Sequence, residues 1–243
     1  MTDKRKHRGA HPEDRQSFSP SSYGSLQSAV DELSWLLTRG YAPKSSLKIV
    51  GDRYQLTARQ RNAVGRSSCG DLERDGRREK GIDASALRGG ALLIDGFNVL
   101  TILESALSGG VVLAGRDGCY RDIASMHGNY RVLEETLPVL ELLQRLFAGL
   151  ELAAVHWYFD RPVSNSGRLK ALLGEIVSAS SGPSAEIELV PDPDAILAVS
   201  DKPVATSDSY ILDNCRHWFN LARFVVDREI PEAWVVPLEL PSS

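Results

Sequence analysis

Ala91-Leu-Leu-Ile-Asp-Gly-Phe-Asn-Val-Leu100 is a continuous apolar run that ends on a carboxylate, followed by a glycine and, two positions on, an asparagine. An apolar run without polar alternation reads as a strand covered on both faces, which places it at the centre of a mostly parallel sheet. Asp95 then stands at the carboxyl end of that strand. In open α/β sheets this is the edge where ligands bind, because the crevice outside the strand ends is where a buried scaffold meets solvent. A carboxylate there is costly to desolvate unless a cation or a donor meets it, which makes Asp95 a candidate metal ligand; the bland alternative is a helix cap.

Working outward, apolar strands alternate with helical patterns. Strands are expected at 91–94, 153–159, 186–190 and 203–205, with a further candidate at 233–236; helices are expected at about 130–150, 166–179 and 208–218. The expected fold is α/β, a mostly parallel sheet flanked by helices, preceded by a small all-helical domain. The first four strands share one peculiarity. Each is followed closely by an acidic residue: Asp95, Asp160, Asp192 with Asp194, and Asp208. Parallel strands put their carboxyl ends on one edge, so these aspartates converge after folding. Crowded carboxylates raise one another's pKa unless a divalent cation neutralises them. An oxygen-only donor set, without His or Cys, suits Mg²⁺ or Mn²⁺, which can activate water and clamp a phosphodiester.

Hydrophobic content of 42% and charged content of 25% are ordinary for a globular protein. No apolar run approaches the length of a membrane span and the N-terminus is charged, so a cytoplasmic protein without membrane attachment is expected. Cys69, Cys119 and Cys215 are odd in number and lack metal-knuckle spacing, so they are expected to be reduced and structural. The charge is unevenly divided: residues 1–90 carry 17 Lys+Arg against 11 Asp+Glu, net +6, and residues 91–243 carry 11 against 21, net −10. That division suits a part that holds a polyanion beside a part that holds cations.

Residues 1–24 read as a basic flexible arm. Residues 25–72 read as a helical domain: a stripe over Leu26–Thr38 stopped near Gly40, a short helix opened by Pro43, and a basic helix capped by Thr57. Arg59, Arg61 and Arg66 on that last helix invite comparison with a nucleic-acid-binding helix-turn-helix, or form a solvated face. Residues 73–90, dense in charge and glycine, read as an exposed linker, and 91–243 as the α/β domain.

Leu93-Ile-Asp-Gly-Phe-Asn-Val-Leu100, Phe159-Asp-Arg-Pro162 and Ala205-Thr-Ser-Asp-Ser209 together resemble the PIN-like nuclease family, especially its NYN branch, over about Ala91 to Asp213. The chain also resembles bacterial and archaeal proteins of the DUF434 type, over about Arg8 to Leu72, in which a helical part precedes a PIN-like half. The first resemblance implies a metal-dependent ribonuclease with RNA as partner and substrate. It implies that Asp95 is the first metal-binding aspartate, that Asn98 orients it or the scissile phosphate, and that Asp160, Asp194 and Asp208 complete the acidic set, with Asp95, Asp160 and Asp208 catalytic. One departure weakens a two-metal site: Ser209 and Tyr210 stand where a second late acidic residue often follows, and Asp213 comes one turn later.

Other residues near the strand ends are candidates for holding substrate. Ser164, Asn165 and Ser166 follow Asp160 and combine hydroxyls and an amide with a helix start, although a plain N-cap reads equally well. Ser207 lies in the late motif. The glycine-rich stretch 109–122 lacks the P-loop lysine and reads as a loop or hairpin over the active edge, from which Arg116 and Arg121 could reach nucleic acid. His127 reads as packing or hydrogen-bonding rather than ligating, and Glu135 as a solvated helix residue within reach of the metal. An aspartyl-phosphate phosphatase would need an aspartate at 97, where Phe97 stands. An inactive RNA-binding or scaffold protein on the same fold is the surviving alternative.

Overall fold

A computed structural model describes residues 7–123 and 130–239. The N-terminal half is helical: α1 (Asp14–Ser17), α2 (Pro20–Thr38), α3 (Pro43–Arg53), α4 (Ala58–Ser67) and α5 (Asp71–Lys80). The remainder runs β1 (Ala91–Asp95), α6 (Gly96–Leu107), β2 (Val111–Ala114), β3 (Tyr120–Asp122), α7 (Thr136–Gly149), β4 (Ala154–Asp160), α8 (Ser166–Ala179), β5 (Ser184–Val190), α9 (Pro193–Leu197), β6 (Val204–Ala205), α10 (Ser209–Asn214), β7 (Trp218–Phe219), α11 (Leu221–Glu229) and β8 (Trp234–Pro237).

The main sheet has the order β5-β4-β1-β6-β7, and every pairing in it is parallel. β1 is central, as its apolar run predicts, and both its faces are covered: Leu92 and Ile94 point into one core with Trp157 and Phe159, while Leu93 points into a second with Val204 and Ile211. The chain leaves β1 toward β4 and β5, then returns to β6 and β7 on the other side. The direction of winding therefore reverses between β1 and β6, and a crevice opens at such a switch point. α6 is apolar nearly all round and correspondingly buried, against β2, β3, β4, α7 and α11. Its first residue needs to be glycine, because a Cβ on Gly96 would lie 2.2–2.7 Å from ring atoms of Phe159.

Several expectations are corrected. β8 does not join the main sheet; it pairs parallel with β2, which pairs antiparallel with β3, in a separate three-stranded sheet. Period-2 alternation sends Val112, Ala114 and Val235 into the α/β core and Val111, Leu113 and Val236 into the core of the helical half. The helix expected at 208–218 ends at Asn214 and yields to β7, and that expected from 130 begins at Thr136.

Of the expected basic flexible arm, residues 7–24 are packed. Phe18 is fully buried, Asp14 is bonded by Arg59, and Arg8 Nε donates to the buried Glu104 Oε2 at 2.8 Å. Residues 73–90 are largely exposed, as expected, but they are not an unstructured linker: most of them lie in α5 and in a 3-10 turn over Ala84–Leu87. α5 runs from Asp71 and Glu73 in its first turn to Arg77, Arg78 and Lys80 in its last, charges that suit the helix dipole, and Arg77 is buried. In the helical half, Thr57 caps α4 in a capping box with Gln60, and Gly40 adopts φ +76° after α2. All three cysteines are buried and free. Among the described residues no helix is long and apolar enough to cross a membrane.

Candidate metal centre

The carboxyl ends of β1, β4 and β6 open on one edge. β1 and β6 run in register with Ile94 beside Ala205, so Asp95 and the Thr206-Ser207-Asp208 segment leave neighbouring strands side by side at the switch point. Asp95 pairs with Tyr158 on the other flank, two residues before Asp160, and α9, which carries Asp194, packs against β1 and β4. The four aspartates named from sequence therefore share a rim.

Asp95 is buried, and its Oδ2 accepts a hydrogen bond from Thr206 Oγ1 at 2.7 Å. Burial pushes its pKa from 3.8 up to about 8; the Thr206 bond opposes the rise, and the charges of Asp194, Asp208 and Asp160 add to it. Asp194, at the exposed lip, is raised to about 6 by partial desolvation and then by Asp208, Asp160 and Asp192. Asp160, half-buried, is raised by burial and by Asp192. Among the described residues no Lys, Arg or His forms an ion pair with any of these four. As their side chains stand, no three His, Cys, Asp or Glu groups among the described residues gather closely enough to enclose an ion. Asp208 also caps α10, accepting from the backbone N–H of Tyr210 (2.8 Å) and Ile211 (3.2 Å), while Asp192 caps α9.

Asn98, on the first turn of α6, accepts through Oδ1 from Ser207 N (2.8 Å) and Ser207 Oγ (2.9 Å). Asn98 and Ser207 thus cross-link the two elements that flank the crevice. Thr206, absent from the sequence-derived site, is a direct partner of Asp95; its place in the late motif was the available signal.

Other candidates are placed differently. Arg121 is buried, donating from Nε to Ser207 O (2.9 Å) and from its terminal nitrogens to Asp117 (2.8 and 2.7 Å), so it cannot touch nucleic acid. Arg116 is bound to Asp71 (2.6 Å) and Cys69 O (3.0 Å). Asn165 holds the position before α8 with φ +68° and spends its amide on Tyr130 O (2.7 Å); Ser166 is buried with Oγ toward Arg161 O (3.4 Å), and Ser164 is exposed. Glu135 precedes α7, is buried, and hydrogen-bonds His7 Nδ1 at 2.6 Å rather than lying on a solvated face. Asp213 is taken by Arg77 (2.7 and 2.9 Å), so it adds no ligand to the rim. Arg61 and Arg66 are paired with Asp52 (2.8 Å) and Asp122 (3.1 Å), and with Arg59 on Asp14 the basic face of α4 is spent on internal ion pairs. His127 lies outside the described residues.

Residues 25–80 match the family model described as "Protein of unknown function (DUF434)", and residues 84–224 match "Domain of unknown function (DUF5616)". An uncharacterized protein of Methanocaldococcus jannaschii, MJ0935, is 31% identical over 188 residues, covering 77% of this chain and 89% of that protein. No solved structure matches the chain. With a switch-point acidic rim built inside the segment that the larger family model spans, the chain belongs to the DUF5616 family and carries a DUF434 segment ahead of it.

Proposed function

We propose that the protein is a PIN-like, metal-dependent ribonuclease whose centre is the rim formed by Asp95, Asp160, Asp194 and Asp208. The observation that carries this reading is electrostatic. Four carboxylates share one edge without a cationic partner among the described residues, and one of them is buried and pushed up to about 8 by desolvation and its neighbours. Elsewhere in the chain buried carboxylates such as Asp14, Glu104 and Asp117 are met by arginines. A rim left uncompensated suits a divalent cation, and all-oxygen donors suit Mg²⁺ or Mn²⁺.

Asp95 would hold the ion from the crevice floor, with Asp194 and Asp208 from the lip and Asp160 beside them. Bound there, the ion would lower the pKa of a water and neutralise charge on a phosphodiester. The chain's own contribution is placement. Thr206 orients Asp95, and the Asn98–Ser207 pair fixes the distance between α6 and the β6 exit, leaving the Asn98 amide nitrogen as a donor for a phosphate oxygen. Exposed Arg161, Ser164 and Arg168 around the start of α8 provide cationic and hydroxyl groups for an RNA backbone on the same edge.

The test is cleavage of labelled single-stranded and structured RNA by the full chain with Mn²⁺ or Mg²⁺ and with chelator. The expected result is cation-dependent product, abolished by Asp95→Asn without loss of RNA binding. One observation favours a second reading, a PIN-like RNA-binding or scaffold protein without turnover: the carboxylates do not close around a point, and Asp208 is engaged as a helix cap. RNA binding without cation-dependent product would select it.

A further inference from the structure

The peptide linking Ser207 to Asp208 is gripped at both ends. Its carbonyl oxygen accepts from Arg121 Nε at 2.9 Å, and its N–H donates to Thr206 Oγ1 at 3.0 Å, the hydroxyl that in turn donates to Asp95. Arg121 is itself locked. Its two terminal nitrogens bond both oxygens of Asp117, and Asp117 Oδ2 also accepts from Arg77 Nη1 at 2.6 Å. Arg77 belongs to α5, in the helical half; it reaches Asp213 on α10 with its other nitrogens, and its backbone carbonyl accepts from Trp218 Nε1 at 2.7 Å. Two guanidinium and two carboxylate groups thus form a balanced cluster of no net charge between α5, the β2–β3 turn and α10, with Arg77, Arg121 and Asp117 almost wholly buried.

Such a cluster is costly to desolvate and holds only while every member is present. A planar guanidinium meets the geometry of three donations in one plane, to a carbonyl and to both oxygens of a carboxylate, which an ammonium cannot reproduce.

We propose that Arg121, clamped by Asp117 and braced from the helical half by Arg77, is a positioning residue that fixes the peptide carrying Asp208 against Asp95, so that the DUF434 segment is a structural part of the acidic centre. The inference rests on the reading of that rim as a metal centre for its consequence, but the bracing itself is a property of the polypeptide. Arg121 touches neither ion nor substrate. It acts through Ser207, Thr206 and Asp208.

Two measurements on the full chain test it: Mn²⁺ affinity by titration calorimetry, and amide hydrogen exchange over residues 204–212 in metal-free buffer. In Arg121→Lys the expected result is at least tenfold weaker Mn²⁺ binding and at least tenfold faster exchange over 204–212, with β1 and β4 still protected. Arg77→Lys should give the same pattern at smaller amplitude, and it replaces Arg121→Lys should that variant not fold. Unchanged exchange over 204–212 in a folded variant overturns the proposal. Faster exchange with Mn²⁺ affinity unchanged overturns the coupling to the centre. If the unaltered protein binds no Mn²⁺, the metal reading fails, and exchange over 204–212 alone decides whether the bracing stands.

Discussion

Thr206 Oγ1 donates to Asp95 Oδ2 at 2.7 Å while accepting from the backbone N–H of Asp208 at 3.0 Å, so a single hydroxyl joins the ends of two neighbouring parallel strands. That hydroxyl is the donor opposing the rise of the Asp95 pKa, and it stands where the winding of the sheet reverses.

Asp95 carries a folded pKa of about 8 against an ordinary 3.8. Between those values the native state keeps a proton that the unfolded chain has released, so stability falls as pH rises from about 4 to about 8 and then levels off. Asp95→Asn is expected to remove this slope, stabilising the metal-free protein at pH 8 by on the order of 2 kcal/mol while changing little at pH 4. Urea denaturation at the two pH values measures it; an Asp95→Asn protein no more stable than the parent at pH 8 contradicts a desolvated carboxylate.

Mn²⁺ binding should release protons. Asp95 at about 8 and Asp194 at about 6 both ionise more fully beside a cation, so apparent affinity is expected to climb between pH 6 and pH 8. Calorimetry in two buffers of different ionisation enthalpy reads the release directly. Equal heats in both would mean that the protonated groups are not the ligands.

Arg8→Ala leaves the buried Glu104 without its cation, although Thr136 (2.6 Å) and Tyr130 still donate to it. The expected cost is about 3 kcal/mol, and adding Glu104→Gln should recover part of it. An Arg8→Ala protein as stable as the parent would restore the view of the N-terminal segment as an unattached arm.

Gly96→Ala forces a methyl group to within 2.2 Å of the Phe159 ring, which stacks in turn on Trp157. We expect a loss of about 2 kcal/mol, partly regained by Phe159→Leu, from melting curves of the single and double variants. Additive effects would show that the two positions do not meet.

The central strand and the rim were legible because each rests on a local signal that topology then amplifies: β1 is an apolar run without polar interruption, and strands with a carboxylate at or just past the end need only be parallel for the acids to share an edge. What stayed hidden depends on complementarity between distant residues. Arg121 and Arg116 look like free cations in sequence, and only folding supplies Ser207 O and Asp71 as their partners. Phe18 is the apolar anchor of a polar segment, too little to mark it as packed. β7 is two residues long, and its Trp218 reads in sequence as the last residue of the helix expected from 208. α5 was obscured because its one leucine, Leu72, faces solvent, yet its acid-first, base-last order was a readable helix signal.

The three-stranded sheet of β2, β3 and β8 serves as a party wall, with Val112 and Ala114 lining one room and Val111 and Leu113 the other. Neither tenant can be evicted cleanly. A fragment cut at residues 84–224, the borders of the larger family match, discards β8 and strips the helices from one side of β2, leaving a greasy unpaired flank open to water. The family border at 224 thus cuts through a shared sheet, and such an excised piece should be recovered as aggregate, whereas the intact chain keeps both chambers sealed.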